Sequence, residues 1–334
     1  MARYKSKKPL FSRYLVMAVL VVTGLILLSL LAPMGWPFEL LSHFVVQYAF
    51  ILGILTIWLA LAKRYPWAWI ALCVCATQTY QLWPFLAHHQ LVVPGIDSMK
   101  VKEEDVRILQ YNVDRNNDNV NDMAHWIISH SEDVDIVVLL EVTDKWQVAI
   151  ERIKWSYPYH ISKEVRGNRQ IVVLSRLLID ELEVQELADG VSGVVLRGAT
   201  MNGDAPFVLY SVHPSPPLFP GMATQRNAVL MAASKKIAAE HAKYKILVGD
   251  FNTTPFSPFF KKAVKVSGLY NSSEGAGLWG TWPSFIPKFF GISIDNMLVS
   301  NWIKVDNKQL GPSMGSDHYP VITTLKFIIP ENGE

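Results

Sequence analysis

Residues that could carry out chemistry follow short apolar runs in this 334-residue chain. In the stretch KILVGDFNTTP, residues 245–255, Asp250 and Asn252 come directly after a strand-like run and a glycine. An Asp-x-Asn pair can hold and polarise an attacking water, and its amide can also donate to a phosphoryl oxygen. Asp and Asn also favour turns after strands, so the pair indicates a site only if it has partners elsewhere.

The same arrangement recurs at the ends of other predicted strands. These further residues are Asn112 in QYNV, Glu141 in LLEV, His213 in SVHP, Asp295 in SIDN, and Asp317 and His318 in GSDHYPV. If adjacent strands deliver these ends to one edge of a sheet, carboxylates, amides and imidazoles converge there. Such hard oxygen ligands suit Mg²⁺, with Mn²⁺ as the alternative. A histidine oriented by an aspartate suits charge stabilisation and proton transfer at phosphorus.

The elements that must position these residues form an α/β pattern after residue 104. Short apolar runs alternate with amphipathic stretches, and the length suits one domain over residues 105–330. The pattern fixes the fold class and not the topology. The predicted strands are 106–113, 134–141, 170–175, 206–212, 244–249, 292–299 and 319–327, and the predicted helices include 119–131, 144–154 and 224–242.

The first 87 residues are predicted to be a membrane domain. The stretches 15–32, 40–62 and 65–87 carry no charge, and each is long enough to cross a bilayer as a helix. A cleaved signal peptide is the alternative for the first stretch, but its apolar run is too long and no small-residue cleavage site follows. Residues 88–104 mix Pro, Gly and charge and are predicted to be a linker.

Charge is divided along the same boundary. Residues 1–96 contain seven Lys or Arg against one acid, whereas residues 97–334 contain 24 against 28. The basic residues cluster before the first stretch and in the loop at Lys63 and Arg64, so we expect those segments to be cytoplasmic. Three crossings then place the domain outside the cytoplasm, in the periplasm of a multi-pass inner-membrane protein. Its negative balance disfavours strong non-specific DNA binding.

Six sequence blocks together resemble a known family. QYNV, LLEV, SVHP, GDFNTTP, SIDN and GSDHYPV stand in the order found in the endonuclease/exonuclease/phosphatase superfamily, over residues 104–328. That superfamily includes pancreatic deoxyribonuclease, abasic-site endonucleases, inositol polyphosphate 5-phosphatases and neutral sphingomyelinases. The resemblance implies a four-layer α/β sandwich with two central mixed β-sheets, preceded here by three transmembrane helices. This layout looks like that of bacterial membrane-anchored members.

The resemblance also implies a metal centre. Glu141 would be the principal ligand, assisted by Asn112, with Asp317 at or near the metal. His213 matches a histidine of the deoxyribonuclease-like and sphingomyelinase-like branches, which the abasic-site branch lacks; a satisfied core histidine is the alternative for it.

The remaining matched positions imply catalytic roles. Asp250 would orient or deprotonate the attacking water, and Asn252 would hold water and phosphate. His318, paired with Asp295, would stabilise the pentacoordinate phosphorus or protonate the leaving group. One departure from the family pattern is Asn296, because relatives often carry an aromatic residue or histidine after the aspartate.

The sequence thus favours a membrane-anchored, metal-dependent phosphoesterase that cleaves phosphodiester or phosphomonoester bonds by in-line water attack. The substrate stays open between DNA, a nucleotide and a phospholipid, and a nuclease is one option. Apolar residues in 218–222 and 285–291 favour a phospholipid phosphodiesterase or phosphatase. A catalytically silent module that binds a phosphorylated ligand is the further alternative. The bilayer is the expected partner of the helices, and no obligate protein partner is inferred.

Overall fold

The computed structural model describes residues 10–87, 100–166 and 169–331. Two compact units are present, the first made mainly of residues up to 83 and the second of most residues from 84 onward. Most of the predicted linker, residues 88–99, lies outside the described residues. Its last four residues belong to a strand, because the first strand of the second unit begins at Val101.

The first unit is helical. Its helices are α1 (Leu10–Ser29), α2 (Phe38–Leu41), α3 (Val45–Leu61) and α4 (Tyr65–Leu86). Two segments, Phe11–Ser29 and Phe38–Leu61, are long and apolar enough to cross a membrane. Their contact is made by buried side chains such as Val19, Leu52 and Leu59.

Two of the three predicted spans are thus helices with the length and apolar composition of a candidate span. The third predicted stretch does form a helix, α4, with 22 residues. In the described part of the chain it is not among the helices apolar enough to be candidate spans. The sequence shows the reason, because the second half of α4 contains Thr77, Gln78, Thr79 and Gln81. Helix α4 is therefore long enough to cross a membrane but is less apolar than the two candidate spans.

The second unit contains two six-stranded sheets, of which the first joins the beginning and end of the unit. Its strand order is β11-β12-β1-β2-β4-β3. Only β1 and β2 are parallel; the other neighbouring strands pair antiparallel. These strands are β1 (Val101–Asn112), β2 (Ile136–Val142), β3 (Tyr159–Arg166), β4 (Arg169–Ser175), β11 (Ile303–Leu310) and β12 (Val321–Pro330).

The second sheet has the same mixed character. Its order is β5-β6-β7-β8-β10-β9, and β7 and β8 are its parallel pair. The strands are β5 (Ile179–Ala188), β6 (Val191–Ala199), β7 (Pro206–Ser211), β8 (Tyr244–Asp250), β9 (Tyr270–Asn271) and β10 (Asp295–Val299).

Four layers result from the alternation of side chains along the central strands. In β2, Val138 and Leu140 face the core between the sheets, whereas Val137 and Leu139 face the core under two helices. Those helices are α5 (Val120–Ser129) and α6 (Gln147–Ile153). The second sheet packs its outer face against α7 (Pro220–Ala239) and α8 (Pro258–Ser267). The expected two mixed sheets with flanking helices are confirmed.

The core between the sheets becomes polar towards one end. Lys308 is only 6% exposed, and its Nζ donates to Ser273 Oγ at 2.7 Å. Lys308 pairs with Thr323 across β11 and β12, and Thr323 pairs with the core residue Ile108 of β1. Burial lowers the pKa of Lys308 to about 8, although the charge of Asp295 opposes the shift. The ammonium therefore reduces the stability of the fold at neutral pH.

We predict that Lys308→Met raises the thermal unfolding temperature at pH 7. The folded pKa lies below the unfolded value, so the burial cost is full below pH 8 and disappears as the pH rises to 10.5. The shift corresponds to at most about 3 kcal/mol, less the cost of leaving the Ser273 hydroxyl without its donor. Unfolding of the full chain in detergent, followed by tryptophan fluorescence at pH 7 and pH 10, measures the difference.

Lys304→Met is the matched control, because Lys304 lies on the same strand and is half-buried. We expect it to change the unfolding temperature at pH 7 much less than Lys308→Met does. A Lys308→Met variant that unfolds at a lower temperature than the wild type at pH 7 would contradict the prediction.

Candidate active site

The predicted site residues lie at one end of each central parallel pair. Asn112 is the last residue of β1 and Glu141 the next-to-last of β2. Asp250 ends β8, and His213 follows the end of β7 by two residues. Because parallel strands end at the same edge of their sheet, each pair delivers two functional side chains to one edge.

Antiparallel neighbours bring two more residues to that edge. Asp295 is the first residue of β10 and lies in register with Asp250. His318 precedes β12 by three residues, and the first residue of β12, Val321, registers with Gln110 near the end of β1. Strands that start at this edge therefore contribute residues from their N-terminal side.

The carboxylate of Asp250 contacts side chains that come from both sheets. Its Oδ2 accepts from Asn112 Nδ2 at 3.2 Å and lies 3.7 Å from both His213 Nδ1 and His318 Nε2. Its Oδ1 accepts from the backbone N–H of Asn252 at 2.8 Å. Burial raises the pKa of Asp250, and the nearby charge of Asp295 adds to the rise. The group is therefore a stronger base than an exposed aspartate.

His318 and Asp295 form a buried pair beside this carboxylate. His318 Nδ1 and Asp295 Oδ2 are 2.8 Å apart. Burial acts to lower the pKa of His318, but the charge and hydrogen bond of Asp295 outweigh it and the pKa is raised. Gln110 Nε2 donates to the other Asp295 oxygen at 3.1 Å, and Thr281 Oγ1 accepts from the Asp295 backbone N–H at 3.2 Å. Asp295 thus favours the imidazolium form of His318, whose Nε2 lies on the side of Asp250.

A second pair is formed by Glu141 and His213. Glu141 Oε1 and His213 Nε2 are 3.1 Å apart, and the Glu141 side chain is 16% exposed. Burial acts to lower the pKa of His213, but the bond to Glu141 and the charge of Asp250 raise it. Glu141 has a φ of +58°, and the β2–β4 register shifts between Leu139 and Val142. Such irregularities re-aim a side chain, here into the site.

Asp317 lies at the rim of this group. It is 45% exposed, and its Oδ1 is 3.9 Å from His318 Nε2. Its Oδ2 accepts from the indole Nε1–H of Trp282 at 2.8 Å, and Trp282 is itself partly exposed. The structure thus brings all eight predicted residues to one end of the two sheets. Among the four carboxylates of this group, that of Asp317 is the most exposed.

Gly249 sets the spacing between the two strand ends of the second sheet. It has a φ of +152°, and a Cβ at this position would lie 1.9 Å from the carbonyl oxygen of Val212. The Val212 N–H donates to the Val248 carbonyl at 3.0 Å. A side chain here would push Val212 away, and with it the adjacent His213. Close approach of the backbones therefore requires glycine.

Asn296, the departure from the family pattern, has a structural role. It is fully buried, and its amide donates to the Thr253 carbonyl at 3.0 Å and the Ile294 carbonyl at 2.9 Å. It ties the segment after Asp250 to the segment before Asp295. Its contacts are with the backbone on both sides of the site.

The donor set fits a hard divalent cation. Oxygens of Asp250 and Asp295 and a ring nitrogen of His318 lie within 4.8 Å of one another. His318 already shares a hydrogen bond with Asp295, so these two residues act as a dyad. Carboxylate oxygens of this kind are ligands that Mg²⁺ prefers, and Glu141 is not part of the group.

Two polar residues of the site were not predicted, Gln110 and Thr281. Gln110 stands two residues before Asn112 in the run RILQYN. A period of two places both side chains on one face of the strand, so this spacing was a usable signal. Thr281 acts through a loop contact across 14 residues, for which the sequence offers no comparable signal.

Comparisons with known proteins agree on the fold. A comparison with curated proteins finds no match by sequence. Among solved structures, zebrafish (D. rerio) TDP2 in complex with a single-strand DNA product is 18% identical with a TM-score of 0.53, covering 66% of this chain and 99% of that one. A mannosyl-6-phosphatase of Bacteroides thetaiotaomicron is 18% identical with a TM-score of 0.51, over 66% and 99%. At these identities the likeness concerns the fold.

Fold and site together define a class of phosphoester hydrolases. The model of the Endonuclease/Exonuclease/phosphatase family matches residues 109–318, which is well over half of the chain. The chain therefore belongs to the endonuclease/exonuclease/phosphatase family, and it is an enzyme of that hydrolase type. A family member from Bacteroides thetaiotaomicron shows the same fold, with 18% identity, a TM-score of 0.54, and coverage of 68% and 99%.

We predict that Asp295→Asn moves the alkaline limb of the pH–rate profile to lower pH. Asp295 contributes the charge and hydrogen bond that raise the pKa of His318, so without them the imidazolium loses its proton earlier. Hydrolysis of a chromogenic phosphodiester between pH 5 and 10 measures the limb. Activity at neutral pH should also fall, by roughly 10²- to 10⁴-fold if the dyad acts as a general acid.

Asp306→Asn provides the control for this experiment. Asp306 is 45% exposed and pairs with Lys326 on the surface. Its profile should match that of the wild type. An unchanged alkaline limb in the Asp295→Asn variant would show that the dyad does not set the protonation of His318.

Proposed function

We propose that the chain is a divalent-metal-dependent phosphoesterase that hydrolyses phosphodiester or phosphomonoester bonds by in-line attack of water. One observation carries the proposal. The Asp250 carboxylate lies within 3.7 Å of polar nitrogens from Asn112, His213 and His318, which come from separate parts of both sheets. Family membership supports the reaction class.

Asp250 and Asn252 are proposed to handle the attacking water. The raised pKa of Asp250 suits a group that accepts a proton from water. Asn252 is held next to it through its own backbone N–H, and its side-chain Nδ2 donates to the Pro214 carbonyl at 3.0 Å. Because the Asn252 side chain is fixed in this way, its second amide proton and its amide oxygen point in defined directions. These two groups can orient both water and phosphate.

His318 and Asp295 are proposed to act on the leaving side. The imidazolium held by Asp295 can neutralise charge on the pentacoordinate phosphorus or give its proton to the departing alcohol. His213 is proposed to fix the orientation of Glu141 through their 3.1 Å contact.

Glu141 and Asn112 would hold the cation, Mg²⁺ with Mn²⁺ as the alternative, and Asp317 would assist at the rim. When bound, such a cation neutralises phosphoryl oxygens and polarises the phosphorus. A catalytically silent binding module, the rival reading, predicts the loss of at least one of these residues. All eight are present, which favours the enzyme.

Two observations bear on the substrate. The fold is shared with TDP2, which has been crystallised with a single-strand DNA product, and this favours a nucleic-acid or nucleotide phosphoester. Three large apolar side chains on loops of the second unit, Leu218, Phe219 and Phe285, are more than 60% exposed. Exposed apolar groups of this size favour the second candidate, a phospholipid phosphodiesterase or phosphatase.

Asp250→Asn should abolish metal-dependent hydrolysis while leaving the fold intact. The substitution keeps the shape of the side chain and removes the base, so we expect a loss of at least roughly 10²-fold. The full chain in detergent is assayed on bis(p-nitrophenyl) phosphate, single-stranded DNA and phospholipid vesicles, with Mg²⁺ and with EDTA. We expect EDTA to remove the wild-type activity and added Mg²⁺ to restore it.

The matched control is Asp133→Asn. Asp133 is 70% exposed and precedes the start of β2, at the opposite edge of the first sheet from Glu141. It should behave as the wild type. Activity that survives EDTA, or that survives in Asp250→Asn, would exclude the proposed mechanism, and inactivity on every substrate would favour the binding module.

The N-terminal unit is proposed to anchor the enzyme in an inner membrane. The proposed domains are 1–87 as the membrane part, 88–104 as the linker and 105–330 as the catalytic part, with the correction that residues 101–104 belong to the first strand of the catalytic part. The two apolar segments support anchoring. The side of the membrane depends on α4, because three crossings place the catalytic part opposite the N-terminus and two crossings place both on the same side. We propose three, with the catalytic part in the periplasm.

Cysteine labelling tests the orientation. The only cysteines are Cys73 and Cys75, so a Cys73→Ser/Cys75→Ser background has none. Val148→Cys adds one thiol at a side chain that is 65% exposed. With three crossings, a membrane-impermeant maleimide should label it in intact spheroplasts. Labelling that requires lysis would show that α4 does not cross, and Trp155→Cys, at a 92% exposed position, serves as the second reporter.

A further inference from the structure

A charged residue occupies a core position of α7. The buried face of this helix includes Ala223, Leu230, Ala233 and Ile237, which lie seven, three and four residues apart along the helix. Arg226 falls on the same face, between Ala223 and Leu230, and is 0% exposed. An apolar residue is expected at such a position, because a buried guanidinium loses its hydration.

The guanidinium of Arg226 contacts the segment that carries the proposed water-binding amide. Its Nη1 donates to the backbone carbonyl of Asn252 at 3.1 Å. Its Nε and Nη2 donate to Asn227 Oδ1 at 3.0 and 2.7 Å, which fixes the plane of the group. Hydrogen bonds from an ionised donor are about twice as strong as neutral ones.

Asn252 needs such support because its backbone is strained. Its φ of +50° is in the left-handed region, which costs a non-glycine residue free energy even though asparagine tolerates it best. Its N–H is bound by Asp250 Oδ1 and its Nδ2 by the Pro214 carbonyl. Arg226 binds the remaining backbone group, the carbonyl.

We propose that Arg226 is a positioning residue that holds Asn252 in the conformation needed to orient water and phosphate. The inference rests on the proposed function, because it assigns Arg226 a part in that same reaction. Arg226 is fully buried, so substrate cannot reach its guanidinium, and the bond to the Asn252 carbonyl links it to the site. A residue of this kind changes the chemical step more than substrate binding.

The kinetic test compares Arg226→Met, Arg226→Lys and Ser234→Ala in the full chain in detergent, with Mg²⁺ and bis(p-nitrophenyl) phosphate. Methionine keeps the volume and removes the donors, so we expect kcat to fall roughly 10- to 100-fold with KM changed less than about threefold. Lysine can still donate to the Asn252 carbonyl and should recover most of kcat. Ser234 is a buried residue of the same helix that bonds the Leu230 carbonyl, and its alanine variant should keep the wild-type kcat.

A double-mutant cycle separates positioning from general destabilisation. If Arg226 acts through Asn252, the Arg226→Met effect should largely disappear in an Asn252→Ala background, to within about twofold. Equal losses in both backgrounds, or a wild-type kcat in Arg226→Met, would overturn the proposal.

Hydrogen exchange supplies a readout that does not depend on activity. The Asn252 N–H is bonded to Asp250 Oδ1, so exchange in the segment 251–255 reports whether Asn252 is held. We expect roughly tenfold faster exchange there in Arg226→Met, wild-type exchange in Arg226→Lys, and no change in Ser234→Ala. If the wild type hydrolyses none of the substrates, the proposed function fails while this measurement still decides whether Arg226 holds Asn252; unchanged exchange in Arg226→Met would overturn the inference.

Discussion

A single buried carboxylate, that of Asp250, receives polar groups from both sheets, whose facing sides are packed largely through apolar side chains. Its oxygens receive groups from the end of β1, from the segment after β7 and from the segment before β12. A buried carboxylate without such partners would be strongly disfavoured. The approach of β8 to the segment after β7, which only glycine at 249 permits, keeps His213 beside that carboxylate.

Around this centre the fold accepts several costs to stability. Glu141 and Asn252 both have left-handed backbone, Lys308 is a buried ammonium, and Arg226 is a buried guanidinium. Each lies close to the site or on a strand or helix that leads to it. Natural sequences break local rules mainly at functional sites, where the rest of the structure over-determines the geometry. The apolar layers on both sides of the sheets supply the stability that permits this.

The elements that could be predicted from sequence are those with a clear period. The predicted strands 106–113, 134–141 and 244–249 coincide with β1, β2 and β8 within a few residues, apart from the early start of β1 at Val101. The β5–β6 hairpin was missed, because β5 is a half-exposed edge strand rich in acids and lacks an apolar run. Of the three predicted spans, two are supported by their length and apolar composition, and the third, α4, is supported by its length alone.

The sequence by itself determined which residue types stand at the ends of the strands that form the site. Those residues, in their order along the chain, indicated the family and its phosphoester-hydrolysing chemistry. Those residues could be found because strand period and strand end are local properties. Only the tertiary structure decided that Gln110 holds Asp295, that Asp317 turns to Trp282, and that Arg226 reaches the Asn252 carbonyl. These contacts join residues 26 to 185 positions apart, and such partners are set by how the layers pack.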